Sequence, residues 1–325
     1  MSSSPRPVLV WRKQDDHEIQ VAPPAKPAKP IGIFGDYAML LKVRVTSLVV
    51  LTAWTGFYLG CVKTGVPSLS WKLLSALIGI GLVSGGAAAF NQIVERVEDG
   101  LMLRTRLRPL PAKRMELTHA MVIGILAVFG GAAYLAWTTN PLTGFLSVLT
   151  AASYVGLYTP LKKYSPISTF VGALPGAMPP LLGWTAMRGR IEWEALVLFA
   201  IQFLWQFPHF HAIAWLYRED YARAGIRMLP VVEENGRSTV REVLAYSMML
   251  VPVSLFPGYL NMVRHSYIPF AIALGVFLLA YCIRFARLLG NPSQAESRKY
   301  ARQLLRASII YLPLLFGAMM VFSRY

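Results

Sequence analysis

Three oxygen-bearing side chains, Asn91, Glu95 and Asp99, recur every four residues in FNQIVERVEDGLMLRTRLRP, residues 90–109. On a helix that spacing stacks them along one face. Two carboxylates and an amide pointing into one volume suit a hard divalent cation such as Mg²⁺, which takes oxygen ligands and commonly shares them with substrate phosphates. Arg104, Arg106 and Arg108 follow closely, and the planar guanidinium matches phosphate oxygens. The segment can therefore hold a diphosphate, with metal on one side and guanidinium on the other. The same charges also describe a solvated loop that merely fixes membrane orientation. What favours chemistry is the regular spacing of oxygen ligands directly beside fixed cations.

A second polar series lies in ALVLFAIQFLWQFPHFHAIAWLY, residues 195–217. Gln202, Gln206 and His209 fall at i, i+4 and i+7, and the same face extended by three turns reaches Asp220, with Glu219 beside it. Polar groups at membrane depth are costly and face a bundle interior or a wet cavity. For His209 an interhelical hydrogen bond and a substrate contact both remain open. His211 lies about 200° further round the helix and is expected to be structural. Neither histidine has the spacing of a zinc site.

Between the two series runs YTPLKKYSPISTFVGALPGAMPPLLGW, residues 158–184. Lys162 and Lys163 suit either a lipid headgroup or a diphosphate. Gly172 and Gly176 permit close helix approach. Pro175, Pro179 and Pro180 predict an irregular span that bends around a cavity.

The elements that position these residues are membrane helices. The chain is 55% hydrophobic and 15% charged, against about 25% charged in soluble domains. Residues 45–62, 73–94, 117–161, 164–187, 195–217, 243–263, 265–283 and 307–323 contain no Asp, Glu, Lys or Arg. Crossing the hydrocarbon layer takes roughly 20 residues, so the 117–161 run must fold back, and Thr138–Pro141 (TTNP) supplies the turn. The expectation is an all-α polytopic membrane protein, nine transmembrane helices around a central cavity open to the cytoplasmic side. Placing the N-terminus in the cytoplasm puts 26 of the 32 basic residues inside, as the positive-inside rule requires. That accounts for the net charge of +16 without a nucleic-acid partner. The C-terminus then faces outward. Residues 1–36, with the Pro/Lys stretch APPAKPAKP, read as a disordered cytoplasmic tail, and residues 37–325 as the membrane domain. Cys61 and Cys282 lack paired spacing and read as packing residues. No internal repeat is visible.

Taken together, residues 37–323 resemble the intramembrane prenyltransferases of the UbiA type, and within them most closely the branch that farnesylates protohaem IX. In that family the first motif runs Asn-x-x-x-Asp-x-x-x-Asp and on to Met, Arg-Thr and Arg-x-Leu. Asn91, Asp99, Met102, Arg104, Thr105, Arg108 and Leu110 match it in register. Glu95 stands for the first Asp, Val97 for an acid, and Glu98 follows at a different angle. YTPLKK, GAMPPLLGW, FLWQFPHF and DYARAGIRMLPVV resemble the haem branch in order and spacing, with His211 where that branch commonly has Trp.

The resemblance implies a bacterial inner-membrane enzyme that transfers a farnesyl group from farnesyl diphosphate to a vinyl group of protohaem IX, with water addition. It implies Mg²⁺ held by Asn91, Glu95, Asp99, Glu219 and Asp220, and the catalytic set Asn91, Glu95, Asp99 and Asp220. Diphosphate would be bound by Arg104, Arg108, Lys162 and Lys163, and the acceptor by His209, Gln206 and Tyr158. Partners implied are the two substrates, the lipid bilayer and a downstream haem A synthase. Two other readings compete: a sister enzyme prenylating a phenolic or quinone precursor, and a transporter or haem carrier, which would need access from both faces.

Overall fold

A computed structural model describes residues 32–324, apart from Glu234 and Asn291. The chain opens with helix α1, Ile33–Leu40, followed by α2, Val43–Thr64, and α3, Trp71–Val94, whose N-terminus is capped by the Ser70 side chain. A short α4, Arg96–Leu101, continues after a break at Glu95. Then come α5, Leu117–Thr138, and α6, Pro141–Leu161. The TTNP turn forms as expected: Asn140 caps α6 and Pro141 occupies its first turn, where a missing N–H costs nothing. Helices α7, Ser168–Arg188, and α8, Trp193–Leu216, follow. Short α9, Arg218–Arg223, and α10, Leu229–Val232, lead to α11, Arg237–Tyr259, α12, Tyr267–Gly290, and α13, Gln294–Val321.

Eight of these helices are long and apolar enough to cross a membrane. The additional long helix is α7, whose 21 residues include three prolines that dilute its apolar character. Counting α7, nine long helices lie among the described residues. Sequence reading places the tail boundary at residue 36, yet α1 already begins at Ile33. Its Asp36 accepts hydrogen bonds from Arg114 Nε and Nη2 at 2.8–3.1 Å. Residues 1–31, which hold the rest of that stretch, lie outside the described residues.

The expectation of an irregular 164–187 span is corrected: α7 is one continuous helix with Pro175, Pro179 and Pro180 inside it. Proline at position 180 removes the N–H that would serve the Gly176 carbonyl four residues earlier. Gln202 Nε2 on α8 donates to that carbonyl at 2.8 Å. A neighbouring helix thus supplies the lost donor, and the Gln202 amide nitrogen finds an acceptor at membrane depth.

Helix α7 also fits unusually close to α2. A Cβ on Gly183 would meet the Ala53 carbonyl oxygen at 1.8 Å, and one on Gly56 would meet the Pro180 carbonyl oxygen at 1.9 Å. Only glycine permits backbones to approach so closely. This crossing packs α2 tightly against α7.

Candidate active site

Connectivity alone gathers the two polar series. The start of α2, the end of α3, the end of α6, the start of α7 and the end of α8 all lie at one end of the bundle. Asn91 sits in the last turn of α3 and Glu95 at its C-terminal cap. Asp99 follows in α4, where its N–H donates to the Glu95 carbonyl at 2.7 Å. All three are buried. The Asn91 side chain donates from Nδ2 to Glu95 Oε2 at 2.9 Å and to Thr159 Oγ1 at 3.2 Å.

Cations face each of these acids. Lys162 Nζ lies 2.7 Å from Glu95 Oε1, and Arg108 Nη1 lies 2.6 Å from Asp99 Oδ2. Lys162 also stands 4.5 Å from the centre of the Tyr158 ring. That ring is held by close packing, since a Cβ on Gly172 would come within 2.4 Å of it. The end of α6 makes a π-turn over Ser153–Tyr158, a local widening that occurs often at functional sites.

Sequence reading missed Lys42. Its Nζ donates to Asn91 Oδ1 at 2.6 Å, from a residue in left-handed conformation (φ 45°) between α1 and α2. Such a φ is uncommon away from glycine. The only sequence signal was a basic residue at the head of an apolar span, indistinguishable from a topology signal.

The electrostatics follow from burial. Burial lowers the Lys42 pKa to about 7, and the charges of Arg108 and Lys162 push in the same direction, against Glu95 and Asp99. Burial also opposes ionisation of Glu95, but Lys162 and Lys42 outweigh it and hold the carboxyl below its usual range. For Asp99 burial prevails over Arg108 and raises the pKa. Lys42, Arg108 and Lys162 thus confront two carboxylates, Glu95 and Asp99. Such an excess of half-buried cation suits a polyanionic ligand.

The second series joins this site through its loops rather than along one helix face. Asp220 is buried and accepts long hydrogen bonds, both 3.4 Å, from the backbone N–H groups of Leu103 and Arg104. Arg223 pairs with the same carboxylate. The Arg227 N–H donates to the Lys162 carbonyl at 2.7 Å, and Lys163 pairs with Glu98 at 2.5 Å. Arg104 stacks over Tyr217, 5.0 Å from the ring centre, with Tyr221 beyond.

Other candidates lie elsewhere. Glu219 is exposed and accepts from Gln294 Nε2 at 2.6 Å, turned from Asp220. Gln206 is buried and donates to the Ala173 carbonyl at 2.9 Å, so its amide ties α8 to α7. His209 Nδ1 lies 2.9 Å from Ser308 Oγ on α13, and its ring stacks on Trp205 with centres 4.7 Å apart. His211, expected to be structural, makes an interhelical contact: its Nε2 lies 2.9 Å from Glu242 Oε2.

Among the described residues no three His, Cys, Asp or Glu side chains form a ready-made metal cluster. The donor set still fits Mg²⁺, which keeps few protein ligands and completes its shell with water and substrate phosphate. Asp99 Oδ1 is buried without a hydrogen-bond partner. A bare carboxylate oxygen beside Glu95 and Asn91 is what such an ion requires.

Membrane-length helices, paired carboxylates and facing cations define an intramembrane site with the charge pattern of a polyanion receptor. Residues 49–309 match the UbiA prenyltransferase family, and the chain belongs to that family. It is 54% identical over 286 residues to the protoheme IX farnesyltransferase of Koribacter versatilis (strain Ellin345), covering 88% of this chain and 92% of the relative. To the enzyme of the same name from Solibacter usitatus (strain Ellin6076) it is 42% identical, over 88% of this chain and 98% of that one. Among solved structures, a UbiA homologue from Archaeoglobus fulgidus bound to DMAPP and Mg²⁺ shares the fold with a TM-score of 0.61 and 16% identity, covering 88% of this chain and 100% of that one.

Proposed function

We propose that this chain transfers the farnesyl group of farnesyl diphosphate to a vinyl group of protohaem IX in the bacterial inner membrane, with water addition. The observation that carries the proposal is the half-buried set Lys42, Arg108 and Lys162 facing the buried Glu95 and Asp99 at one end of an apolar bundle. The names of the 54% and 42% identical relatives supply the acceptor.

In this reading Asn91, Glu95 and Asp99, with Asp220 supporting the loop opposite, would hold Mg²⁺. Bound there, the ion would neutralise charge on the diphosphate. Lys42, Lys162 and Arg108 would bind the remaining phosphate oxygens and stabilise the charge that grows as the leaving group departs. The allylic C–O bond breaks with its electron pair going to diphosphate. The vinyl π electrons then form the new C–C bond, and the cation left on haem takes hydroxide from water, whose proton is released. Apolar helices exclude other water from the C15 chain. His209, deeper along α8, would serve the acceptor. Positive-inside charge supports a cytoplasmic site end and N-terminus, with the C-terminus outside.

A transporter reading finds no support at the far end of the bundle. There Glu192 receives Lys63, Arg188 and Arg190, and Lys63 also reaches Glu194. These pairs tie α2, α7 and α8 together where a second opening would be needed.

The test is mass analysis of purified protein given protohaem, farnesyl diphosphate and Mg²⁺, in competition with a phenolic quinone precursor. The expected product is haem gaining one farnesyl and one hydroxyl. Prenylation of the phenol alone would overturn the acceptor assignment.

A further inference from the structure

A cavity of about 340 Å³ opens at the site end of the bundle but outside the site itself, lined by Arg96, Leu110, Lys113, Arg114, Met115, Glu116 and Leu117. Its cations are disposed unequally. Arg114 is committed to Asp36. The Arg96 guanidinium is fixed by donating from Nη1 to the Ile93 carbonyl at 2.9 Å. Lys113 is exposed and held in left-handed backbone conformation, φ 56°. Among the described residues neither Arg96 nor Lys113 pairs with a carboxylate, and Glu116 is the one acid in the lining.

Directly below, the apolar part begins. Leu117, Met121 and Ile125 on α5 are 38%, 41% and 44% exposed, and their four-residue spacing puts them in one row leading away from the cavity. That row runs about 12 Å along the helix. On α1, which the Asp36–Arg114 pair pins beside the cavity, Ile33 and Phe34 stand 69% and 88% exposed. Cationic rim, apolar row and flanking exposed aromatic together describe a receptor for an amphiphile lying in the plane of the bilayer.

We propose that this cavity binds the headgroup of an anionic phospholipid, with Arg96 and Lys113 on the phosphate and an acyl chain along Leu117, Met121 and Ile125. Basic pockets between membrane helices recognise such headgroups. The lipid is preferred over a prenyl diphosphate because the row faces outward rather than toward Asn91, Glu95 and Asp99. The proposal goes beyond the reaction and is measured without substrates.

The experiment is native mass spectrometry of the full chain from neutral detergent, with phosphatidylglycerol, cardiolipin or phosphatidylcholine added. Anionic lipids should be retained and phosphatidylcholine lost. The double variant Arg96→Gln/Lys113→Gln should lower retention at least about tenfold, Lys113→Gln alone by less, and Arg96→Lys/Lys113→Arg should keep it. Equal melting temperatures of these variants in lipid-free detergent would show that folding is intact. Equal retention of phosphatidylcholine, or unchanged retention in both glutamine variants, would overturn the proposal. So would displacement of phosphatidylglycerol by farnesyl diphosphate in wild type, which would make the cavity a prenyl diphosphate dock.

Discussion

Asp220 closes onto Arg104 through the backbone, its Oδ2 lying 3.4 Å from the Arg104 nitrogen. Two segments far apart in the chain thereby become walls of one site. The carboxylate acts on a loop as well as on any ligand, which separates its expected behaviour from that of Asp99.

Asp99→Asn should lower prenyl transfer at least about a hundredfold, because it removes charge where the unpartnered Oδ1 points while leaving shape intact. Asp220→Asn should lower activity comparably and also reduce thermal stability, since Leu103, Arg104 and Arg223 lose their carboxylate. Glu95→Asp should retain most activity. Steady-state rates at saturating Mg²⁺ with parallel melting curves check all three; near-normal turnover in Asp99→Asn would remove that residue from the site.

Lys42→Met should raise KM for the prenyl diphosphate at least about tenfold, with a smaller change in KM for the acceptor. The reason is its 2.6 Å contact with Asn91 amid Glu95 and Arg108. An equal effect on both substrates would point to disturbed packing at the start of α2 instead.

His209→Ala should change the Soret spectrum of bound haem while leaving farnesyl diphosphate affinity within about twofold, the site cations lying near the end of α8 and His209 deeper. Ser308→Ala, which removes the Nδ1 partner, should give a milder change of the same kind. Loss of folded protein in both variants would assign His209 to holding α8 against α13.

Gly183→Ala should destabilise the protein by about 1–3 kcal/mol or prevent its folding. The added Cβ would collide with the Ala53 carbonyl at 1.8 Å, a backbone atom that cannot turn aside. Gly130→Ala, where nothing lies within 4 Å, is the matched control and should melt like wild type.

At the far end, the hydrogen bond from Arg188 holds the Glu192 carboxyl down at about 2; burial opposes it, and Lys63 and Trp184 assist. A carboxyl depressed in the folded state contributes stability above its ordinary value, here 4.5, and that contribution is lost as pH falls toward about 2. Glu192→Gln should therefore cost on the order of 1 kcal/mol near neutrality and melt with less dependence on pH below about 4.5. Melting curves of both proteins across that range, showing parallel slopes, would contradict the assignment.

The sequence by itself determined what depends on each segment's own composition. Long uncharged runs dictate helices because no other open structure satisfies its backbone in lipid, and TTNP dictates the reversal at Asn140. The same patterns put Asn91, Glu95 and Asp99 at one mouth of the bundle. Tertiary structure decided whatever depends on the neighbour across a helix boundary. Pro180 reads as a break until Gln202 is seen serving the Gly176 carbonyl. Gln206 lies on a polar face in the sequence and Glu219 beside its end, yet Gln206 is spent on the Ala173 carbonyl and Glu219 on Gln294. Lys42 carries no signature beyond its charge, and only the packing of the helices brings that charge to Asn91. Periodicity reports which residues share a face; packing alone selects what that face meets.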